Sequence, residues 1–387
     1  MAQFPNEIWL EVVRLILEPP PNLNYLAILN AVKTLSRLGR TCKALYALVQ
    51  PHLYRDLRQE WSSPKLLELL SERPQLADLV RSVDLENISP TVDDIVRIFE
   101  KGRDRLRLPR DALDRLTSLI ANSGEGSVLN DDEGDDDSWG FRKDAITVLC
   151  LGLFHKLETI EFPVYFGFLD GAILPTIGEP SEAPQPAGGQ DGDAEAPLAN
   201  LRTIAMHHDD TEYASRVSKL GSLLLLPGLQ DFQGRMMDWD TSLAGSRPET
   251  KLGFLKVILE QSLIEASGFQ DLLTICPRLQ VLRIEWGSAT VGDCELELDR
   301  FGGALREHGV QLQELDLDCR ELMGYWEVDL EECSGRLGKL DGLGHLKRLS
   351  LPMDILVGKA ADEEEDPAPV LQLEETPSRC SSTSPNS

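Results

Sequence analysis

The sequence lacks the residue patterns that build most enzyme and metal sites. It has six histidines and seven cysteines among 387 residues, and no cysteine forms a Cys-x-x-Cys pair or lies at zinc-ligand spacing from a histidine. No Gly-x-Ser-x-Gly, no phosphate-binding glycine loop and no His-Glu-x-x-His occurs. We therefore expect a non-catalytic protein without cofactor or metal, whose cysteines are reduced thiols in an intracellular compartment.

Basic residues and long apolar runs are also scarce. The chain has 38 lysines and arginines against 65 acidic residues, and its formal net charge of -27 argues against binding to nucleic-acid phosphates. No uncharged stretch reaches the about 18 residues that a membrane span needs, and no basic leader precedes the first apolar run. We expect a cytoplasmic or nuclear protein with neither a nucleic-acid nor a membrane partner.

Most of the excess negative charge lies in three segments that are poor in large apolar side chains. Residues 122–138 are rich in Gly and Asp, 178–197 in Pro, Gly and Ala, and 359–387 in acidic residues and then in Ser and Pro. We interpret the first two as insertions in a folded body and the last as a disordered tail. The acidic run 131–137 does not fit an EF-hand, because Leu129 and Gly140 would occupy positions that require carboxylates.

The first apolar stretch predicts a helix with two apolar stripes. After Pro5, which suits a first helical turn, one stripe is Ile8, Val12 and Ile16. The second stripe is Trp9, Val13 and Leu17. A segment of about 57 residues is too small to bury both stripes, so we expect part of this surface to meet a partner.

Two further helices are predicted before residue 57. A short helix is expected around Tyr25 to Val32, and a third is expected to carry Leu38, Cys42, Leu45 and Val49, which recur at steps of four, three and four. Pro51 is expected to end the third helix.

This segment resembles an F-box, the three-helix module by which substrate receptors of SCF-type ubiquitin ligases bind a Skp-family adaptor. The matching sequences are Phe4-Pro5-Asn6-Glu7-Ile8, the run 38–45 (Leu-Gly-Arg-Thr-Cys-Lys-Ala-Leu) and the closing run 51–57 (Pro-His-Leu-Tyr-Arg-Asp-Leu). The last two are similar to F-box proteins of filamentous fungi. The resemblance implies binding to a Skp-family adaptor, which is itself bound to a cullin, through Phe4, Pro5, Glu7, Ile8, Val12, Ile16, Leu38, Cys42 and Leu45.

A six-residue pattern, Leu-x-x-Leu-x-Leu or a close variant, recurs after residue 57. Clear copies begin at Leu157, Leu201, Leu229, Leu279, Leu312 and Leu346, and Leu252 to Leu259 is expected to host another in an uncertain register. A strand is also expected over Leu79 to Leu85. Start-to-start spacings of 28, 33 and 34 residues are close to those of leucine-rich repeats.

The repeated pattern predicts a curved solenoid of leucine-rich repeats over residues 58–358. Positions one, four and six point into the stack, and the intervening positions point to the concave strand surface. Helices such as 88–102 and 269–276 are expected on the convex side, with Ser89, Asp93 and Asp94 as capping candidates for the first. The alternative interpretation is an ordinary open α/β sheet.

The register of the pattern predicts a polar concave surface of mixed charge. Its strand positions are Thr159, Glu161, Thr203, Ala205, His207, Asp231, Gln233, Arg235, Val281, Arg283, Glu285, Glu314, Asp316, Asp318, Arg348 and Ser350. We expect His207, Arg235, Arg283, Glu285, Glu314, Asp316, Asp318 and Arg348 to contact a substrate, which suggests a polar or basic target.

Three aromatic residues and one histidine cluster are further candidate sites. His207 and His208 precede Asp209 and Asp210, but neighbouring residues of a strand point apart, so we expect a polar rim or a substrate contact instead of a metal centre. Trp286, Tyr325 and Trp326 follow expected strands and are either recognition aromatics or part of the folded body.

The sequence therefore predicts an α/β protein with three parts. Residues 1–57 are expected to be the F-box, 58–358 the repeat body and 359–387 the tail. The expected function is that of a non-catalytic substrate receptor of an SCF-type ubiquitin ligase with a protein target. The alternative is a leucine-rich-repeat interaction scaffold that is not associated with a ligase.

Overall fold

The chain folds as three helices followed by a large parallel sheet with helices packed on it. The computed structural model describes residues 5–17, 25–57, 63–121, 136–164, 173–174, 177, 198–208, 214–240, 251–287, 296–319, 333–352 and 355. Predictions for other residues lie outside these ranges; they concern Phe4, Asp209, Asp210, Tyr325, Trp326 and the segments 122–135, 178–197 and 359–387.

Helices α1 (Asn6–Leu17), α2 (Tyr25–Gly39) and α3 (Lys43–Leu53) form the helical unit. Its small core consists of Val13, Leu35 and Val49, which are all at least 99% buried. Ile16, Leu17, Leu38 and Leu53 pack against these three residues. This core is separate from the large core of the sheet, so the helical unit has an apolar interior of its own.

Two predicted helix boundaries in the unit are wrong. Leu38 belongs to α2 and not to the third helix, and Cys42 is the residue before α3. The apolar spacing continues across the turn between the two packed helices, which is why periodicity did not locate the break. Pro51 lies inside α3, because a proline removes only its own amide bond and the amide of Tyr54 still donates to the carbonyl of Gln50 at 3.3 Å.

The described residues contain one nine-stranded sheet in which every strand pair is parallel and the strand order follows the chain order. Two-residue pairs, β5 (Ser215–Arg216) with β7 (Met237–Asp238) and β10 (Leu296–Glu297) with β12 (Cys333–Ser334), lie outside it. The nine strands are β1 (Asp56–Leu57), β2 (Ser82–Asp84), β3 (Thr159–Pro163), β4 (Thr203–His207), β6 (Asp231–Arg235), β8 (Lys256–Ser262), β9 (Val281–Trp286), β11 (Glu314–Asp318) and β13 (Arg348–Ser350).

Alternate residues of the strands form apolar rows that face the main core. One row contains Leu57, Val83, Ile160, Ile204, Phe232, Val257, Leu282, Leu315 and Leu349 in register. The helices contribute side chains to the same core, among them Phe99, Phe269 and Phe301. They are α4 (Pro64–Glu72), α5 (Pro74–Ala77), α6 (Val92–Gly102), α7 (Arg110–Ala121), α8 (Asp136–Leu153), α9 (Ala266–Ile275) and α10 (Leu298–His308).

The six clear copies of the repeated pattern are confirmed as strands of this sheet. The copy expected over Leu252 to Leu259 is also a strand, and its register, which the sequence left open, is set by Phe254 in the first position, with β8 starting two residues later. Tyr54 takes the same position before β1. Leu57, predicted to close the helical module, is therefore in the first strand of the sheet and in the main core.

Two other predictions need correction. The capping residue of α6 is Thr91, which forms a capping box with Asp94, whereas Ser89 and Asp93 do not cap the helix. Helix α8 begins at Asp136, so the predicted acidic insertion at 122–138 extends into a helix. Within the described part of the chain, none of the helices combines the length and the apolar character that crossing a bilayer requires.

Candidate functional site

Helix α1 carries three exposed large apolar side chains, of which Ile8 and Leu15 share one side of the helix and Leu10 lies on another. Val13 faces inward with 1% exposure, whereas Ile8, Leu10 and Leu15 are 49%, 46% and 58% exposed. Tyr46 of α3 adds a 38% exposed aromatic ring to the unit. Among the six residues of the two predicted stripes, Ile8 alone is exposed, so the stripes are not both fully buried, while Leu10 and Leu15 lie outside them.

The other residues predicted to bind an adaptor differ in accessibility. Pro5, Glu7 and Cys42 are exposed, Val12, Ile16 and Leu38 are partly buried, and Leu45 is 8% exposed. Leu45 can thus support the surface but offers little area to a partner. Leu10 and Leu15 were missed, because the stripes at spacing four left them out although they share a helix with Ile8.

Two oppositely charged side chains on α1, Glu11 and Arg14, pair with each other. Arg14 donates from Nη2 to Oε1 of Glu11 at 2.7 Å and from Nε to Oε2 at 2.9 Å. These bonds and the charge of Arg14 lower the pKa of the Glu11 carboxyl despite a small opposing effect of desolvation. The two opposite charges therefore compensate each other, and Ile8 and Leu15 dominate the chemistry of this helix face.

The helical unit is joined to the sheet by a very short connection. Tyr54 and Arg55 alone separate α3 from β1, and the carbonyl of Arg55 accepts bonds from the amides of Arg81 (2.8 Å) and Ser82 (3.0 Å). Tyr54 packs against the main core. The exposed side of α1 is consequently held by a unit that is bonded directly to the first strand pair of the body.

The second candidate surface is the side of the sheet opposite the apolar rows, which we call the polar face. Strand residues on it alternate with buried ones and are mostly half-buried. It comprises Ser82, Asp84, Thr159, Glu161, Thr203, Ala205, His207, Asp231, Gln233, Arg235, Lys256, Ile258, Glu260, Val281, Arg283, Glu285, Glu314, Asp316, Asp318, Arg348 and Ser350. Of these, Ala205 is buried.

At the β2 end of the polar face, three carboxylates converge. Oxygens of Asp84, Glu86 and Glu161 lie within 4.8 Å of one another, and all three residues are half-buried. His207 on β4 bonds through Nε2 to Oε1 of Glu161. Burial lowers the pKa of His207, but the bond to Glu161 and the surrounding carboxylates outweigh burial and raise it. Oxygen and imidazole ligands of this kind could hold a divalent cation, or they could accept a basic side chain.

At the β13 end, ion pairs cross three neighbouring strands. Oε2 of Glu314 accepts bonds from Arg283 at 3.3 Å and from Arg348 at 3.2 Å. Asp316 follows on the same strand and is in register with Arg283 and Ser350. The two arginines compensate Glu314, so the acidic character at this end comes from Glu285, Asp316 and Asp318, all half-buried.

All eight residues predicted to contact a substrate lie on the polar face, but they do not form one compact site. His207 and Arg235 are in register on neighbouring strands, and Arg283, Glu314 and Arg348 form a second group. Five strand spacings separate β4 from β13, which at about 4.8 Å each is about 24 Å. An extended peptide of about seven residues spans that distance, whereas a small ligand does not.

Sequence reasoning missed several residues of the polar face. Asp84 and Glu86 were overlooked because the strand over 79–85 was not carried into the list of exposed positions. Lys256 and Glu260 were missed because the sequence did not assign a register to β8. A buried Phe254 in place of the first leucine is the signal that would have placed them.

Of the histidine and aromatic candidates, His207 lies on the polar face, whereas His208 and Trp286 lie in the interior. His208 is 1% exposed and its Nδ1 lies 2.6 Å from the carbonyl oxygen of Val164, so it belongs to the interior while His207 belongs to the polar face. The expectation that the two rings point apart is confirmed. Trp286 is 1% exposed and donates to the carbonyl of Ile264 at 3.0 Å, which makes it part of the folded body and not a recognition residue.

The comparisons with known proteins are negative. No protein-family model matches the sequence, and no curated protein matches it.

Proposed function

We propose that this protein is the substrate receptor of an SCF-type ubiquitin ligase. The observation that supports the proposal most directly is the amphipathic arrangement of α1. One of its apolar sides fills the core of the helical unit, and the other leaves Ile8 and Leu15 about half exposed. An exposed apolar surface of this kind on a small unit is typical of a protein-binding site.

In this proposal the helical unit is an F-box that binds a Skp-family adaptor bound to a cullin. Ile8, Leu10 and Leu15 supply apolar area that becomes buried on binding. The other residues proposed to contribute to this contact are Phe4, Pro5, Glu7, Val12, Ile16, Leu38, Cys42 and Leu45. Residues 1–57 carry six basic and four acidic side chains, which suits an acidic adaptor.

The body is proposed to be an irregular leucine-rich-repeat solenoid. Nine strands that are parallel and ordered as in the chain, with helices on one side, are the arrangement expected of stacked repeats. The polar face would then be its concave surface. Its length across the strands suits an extended segment of a target protein better than a small molecule.

The receptor is proposed to have no catalytic role of its own. Its helical unit and polar face are joined through the short connection at Tyr54 and Arg55, so a target on the sheet is held at a defined orientation to the adaptor. Ubiquitin transfer would be performed by the other subunits.

Binding to a purified Skp-family adaptor tests the proposal. We expect the full chain to form a stable complex with the adaptor and the double variant Ile8→Asp, Leu15→Asp to lose it, because two charges would have to be buried in the contact. Both positions are solvent-exposed, so the variant should remain folded. The matched control is Val310→Asp, which places a charge at a 43% exposed apolar residue of the body.

Two results would contradict the ligase proposal. The first is no complex between the wild-type chain and the adaptor, and the second is equal binding by the wild type and the double variant. Either result would favour the repeat scaffold without a ligase. If the adaptor binds as expected, proteins that accumulate when the chain is removed, and that the double variant fails to clear, are the candidate targets.

A further inference from the structure

The last strand of the sheet has an uncovered outer edge. Strand β13 pairs with β11 on one side, and in the part of the chain that the structure describes no strand pairs with its other side. Leu349 continues the apolar row of the fully buried Leu315, but it is 39% exposed. An edge strand with an exposed apolar residue readily pairs with another segment, and proteins usually cover such edges.

The chain segment that carries this edge strand is basic, although the neighbouring strand β11 is acidic. Residues 333–352 contain Arg336, Lys339, Lys347 and Arg348 but one acidic residue, Asp341. Lys339, Lys347 and Arg348 are exposed. Because Glu314 on β11 pairs with Arg348, the local excess is two positive charges, which still contrasts with the net charge of -27 for the whole chain. The ligand that this edge fits is therefore acidic, with apolar side chains close to the acidic groups.

We propose that the segment 362–373 of this same chain binds to the β13 edge. Residues 362–366 read Asp-Glu-Glu-Glu-Asp, and residues 370–373 read Val-Leu-Gln-Leu after two prolines. The acidic run complements the basic residues around β13, and the apolar run offers a cover for Leu349. The segment lies outside the described residues, and the proposal is independent of the role of the protein in a ligase.

The chain path places this segment within reach of the edge. Ile355 is 1% exposed and part of the main core, so the chain is anchored just after β13. Six residues lie between Ile355 and Asp362, and the seven steps from one to the other span about 25 Å in an extended chain. A short tether of this kind gives an effective concentration on the order of millimolar, which makes a contact of modest affinity sufficient.

A second copy of the chain is a less suitable occupant of the edge. Pairing two β13 strands would bring two basic segments next to each other, and these like charges repel. The two chains also have the same strongly negative net charge, so they repel each other at long range as well. The acidic segment has the opposite sign and is attached to the edge it would cover. Charge complementarity and tethering therefore favour the chain's own segment.

Hydrogen exchange in the full chain tests the proposal. We compare the wild type with a variant in which Glu363, Glu364, Glu365 and Asp366 are replaced by the corresponding amides. Exchange of backbone amides in residues 346–351 should become about fivefold faster or more in the variant. The matched control neutralises Asp131, Asp132, Glu133 and Asp135, which changes the net charge equally elsewhere and should leave this exchange unchanged.

A binding experiment in two pieces provides the second test. A synthetic peptide of residues 359–375 should bind the chain truncated after Gly358, and the peptide with the four amide replacements should bind about tenfold more weakly or worse. Raising the salt from 0.05 to 1 M should also weaken the binding of the unmodified peptide, because the Debye length shortens to about 3 Å.

Three outcomes would overturn the proposal. They are equal exchange in the wild type and the tail variant, no binding of the peptide to the truncated chain, and protection of residues 346–351 that depends on protein concentration. The last result, seen together with dimers in sedimentation, would assign the edge to a second copy. Adaptor binding through α1 does not enter any of these measurements, so failure here leaves the ligase proposal untouched.

Discussion

His207 and Glu161 are bonded side chain to side chain across two neighbouring parallel strands, with Nε2 of the imidazole on Oε1 of the carboxylate. Asp84 and Glu86 add negative charge around the same ring. Burial opposes the charged imidazole, but the carboxylates prevail and the pKa of His207 lies above its ordinary value of 6.5. The polar face therefore carries an imidazole that stays protonated to a higher pH than an ordinary histidine.

Removing the carboxylate at position 161 should lower the pKa of His207. In Glu161→Gln the imidazole keeps its burial but loses its main charged partner, and NMR titration of the ring should show the decrease. A raised histidine pKa stabilises the fold below 6.5, and this contribution disappears as the pH rises through the folded-state value. The free energy of unfolding of the variant should accordingly fall less over that window. An unchanged pKa in the variant, with Asp316→Asn as control, would contradict the assignment.

Two adjacent glycines of α10 should respond oppositely to alanine. A β-carbon on Gly302 would overlap the carbonyl oxygen of Leu337 and lie 2.7 Å from its carbonyl carbon, whereas a β-carbon on Gly303 meets no atom within 4 Å. We expect Gly302→Ala to destabilise the fold by about 1–3 kcal/mol and Gly303→Ala to stabilise it by about 0.5–1 kcal/mol. Urea unfolding of the two variants measures both values, and changes of the same sign would contradict the packing of α10 on residue 337.

The buried carboxylate of Asp144 should impose a distinct pH dependence. It accepts bonds from the amides of Ile173 (2.6 Å) and Leu174 (2.9 Å), but burial outweighs them and raises its pKa to about 6. A carboxyl with a raised pKa loses favourable free energy as the pH rises from its ordinary value of 3.8 to 6. Asp144→Asn removes this loss.

The comparison with Asp144→Asn therefore has a defined sign. An amide can accept one of the two bonds and leaves the other backbone amide unpaired, which costs about 1–3 kcal/mol. We expect the variant to be less stable than the wild type, with a difference that is larger at pH 4 than at pH 7. Urea unfolding at both pH values measures it, and Asp341→Asn on the surface is the control. A difference that grows with pH would refute the interpretation.

The separate core of the helical unit predicts a local effect of mutation. Leu35 is fully buried, so Leu35→Ala should cost about 2–5 kcal/mol, whereas Leu15→Ala at a 58% exposed position should stay within about 0.5 kcal/mol. Hydrogen exchange should report faster opening of α1 to α3 in Leu35→Ala and little change in β6 to β9. Equal acceleration throughout the body would mean that the two cores unfold together.

Much of the sheet could be predicted from the sequence because leucine occupies the same inward positions in successive strands. Where an aromatic residue replaces that leucine, the prediction failed. Phe254 is as buried as the leucines, yet its presence left the register of β8 undetermined, and Tyr54 concealed β1 at the end of the helical module. A pattern based on leucine alone does not detect a strand in which an aromatic residue fills the same buried position.

The candidate sites were harder to predict than the strands. The register correctly placed His207 away from the core and His208 within it, because that distinction needs local alternation alone. The convergence of Asp84 and Glu86 on Glu161 could not be anticipated, since the pairing of β2 with β3 joins residues separated by three helices. Exposure of Leu10 and Leu15 likewise depends on which side of α1 meets α2 and α3.

The agreement between strand order and chain order has a consequence for synthesis. Each strand pairs with one that has already left the ribosome, so the sheet can grow from its N-terminal end while translation continues. The largest gap in this progression separates β2 from β3, where α6, α7 and α8 intervene. Because closing a longer loop costs more entropy, the pairing of β2 with β3 should be the slowest step. Until that step is complete, β1 and β2 should remain paired with each other alone on the nascent chain.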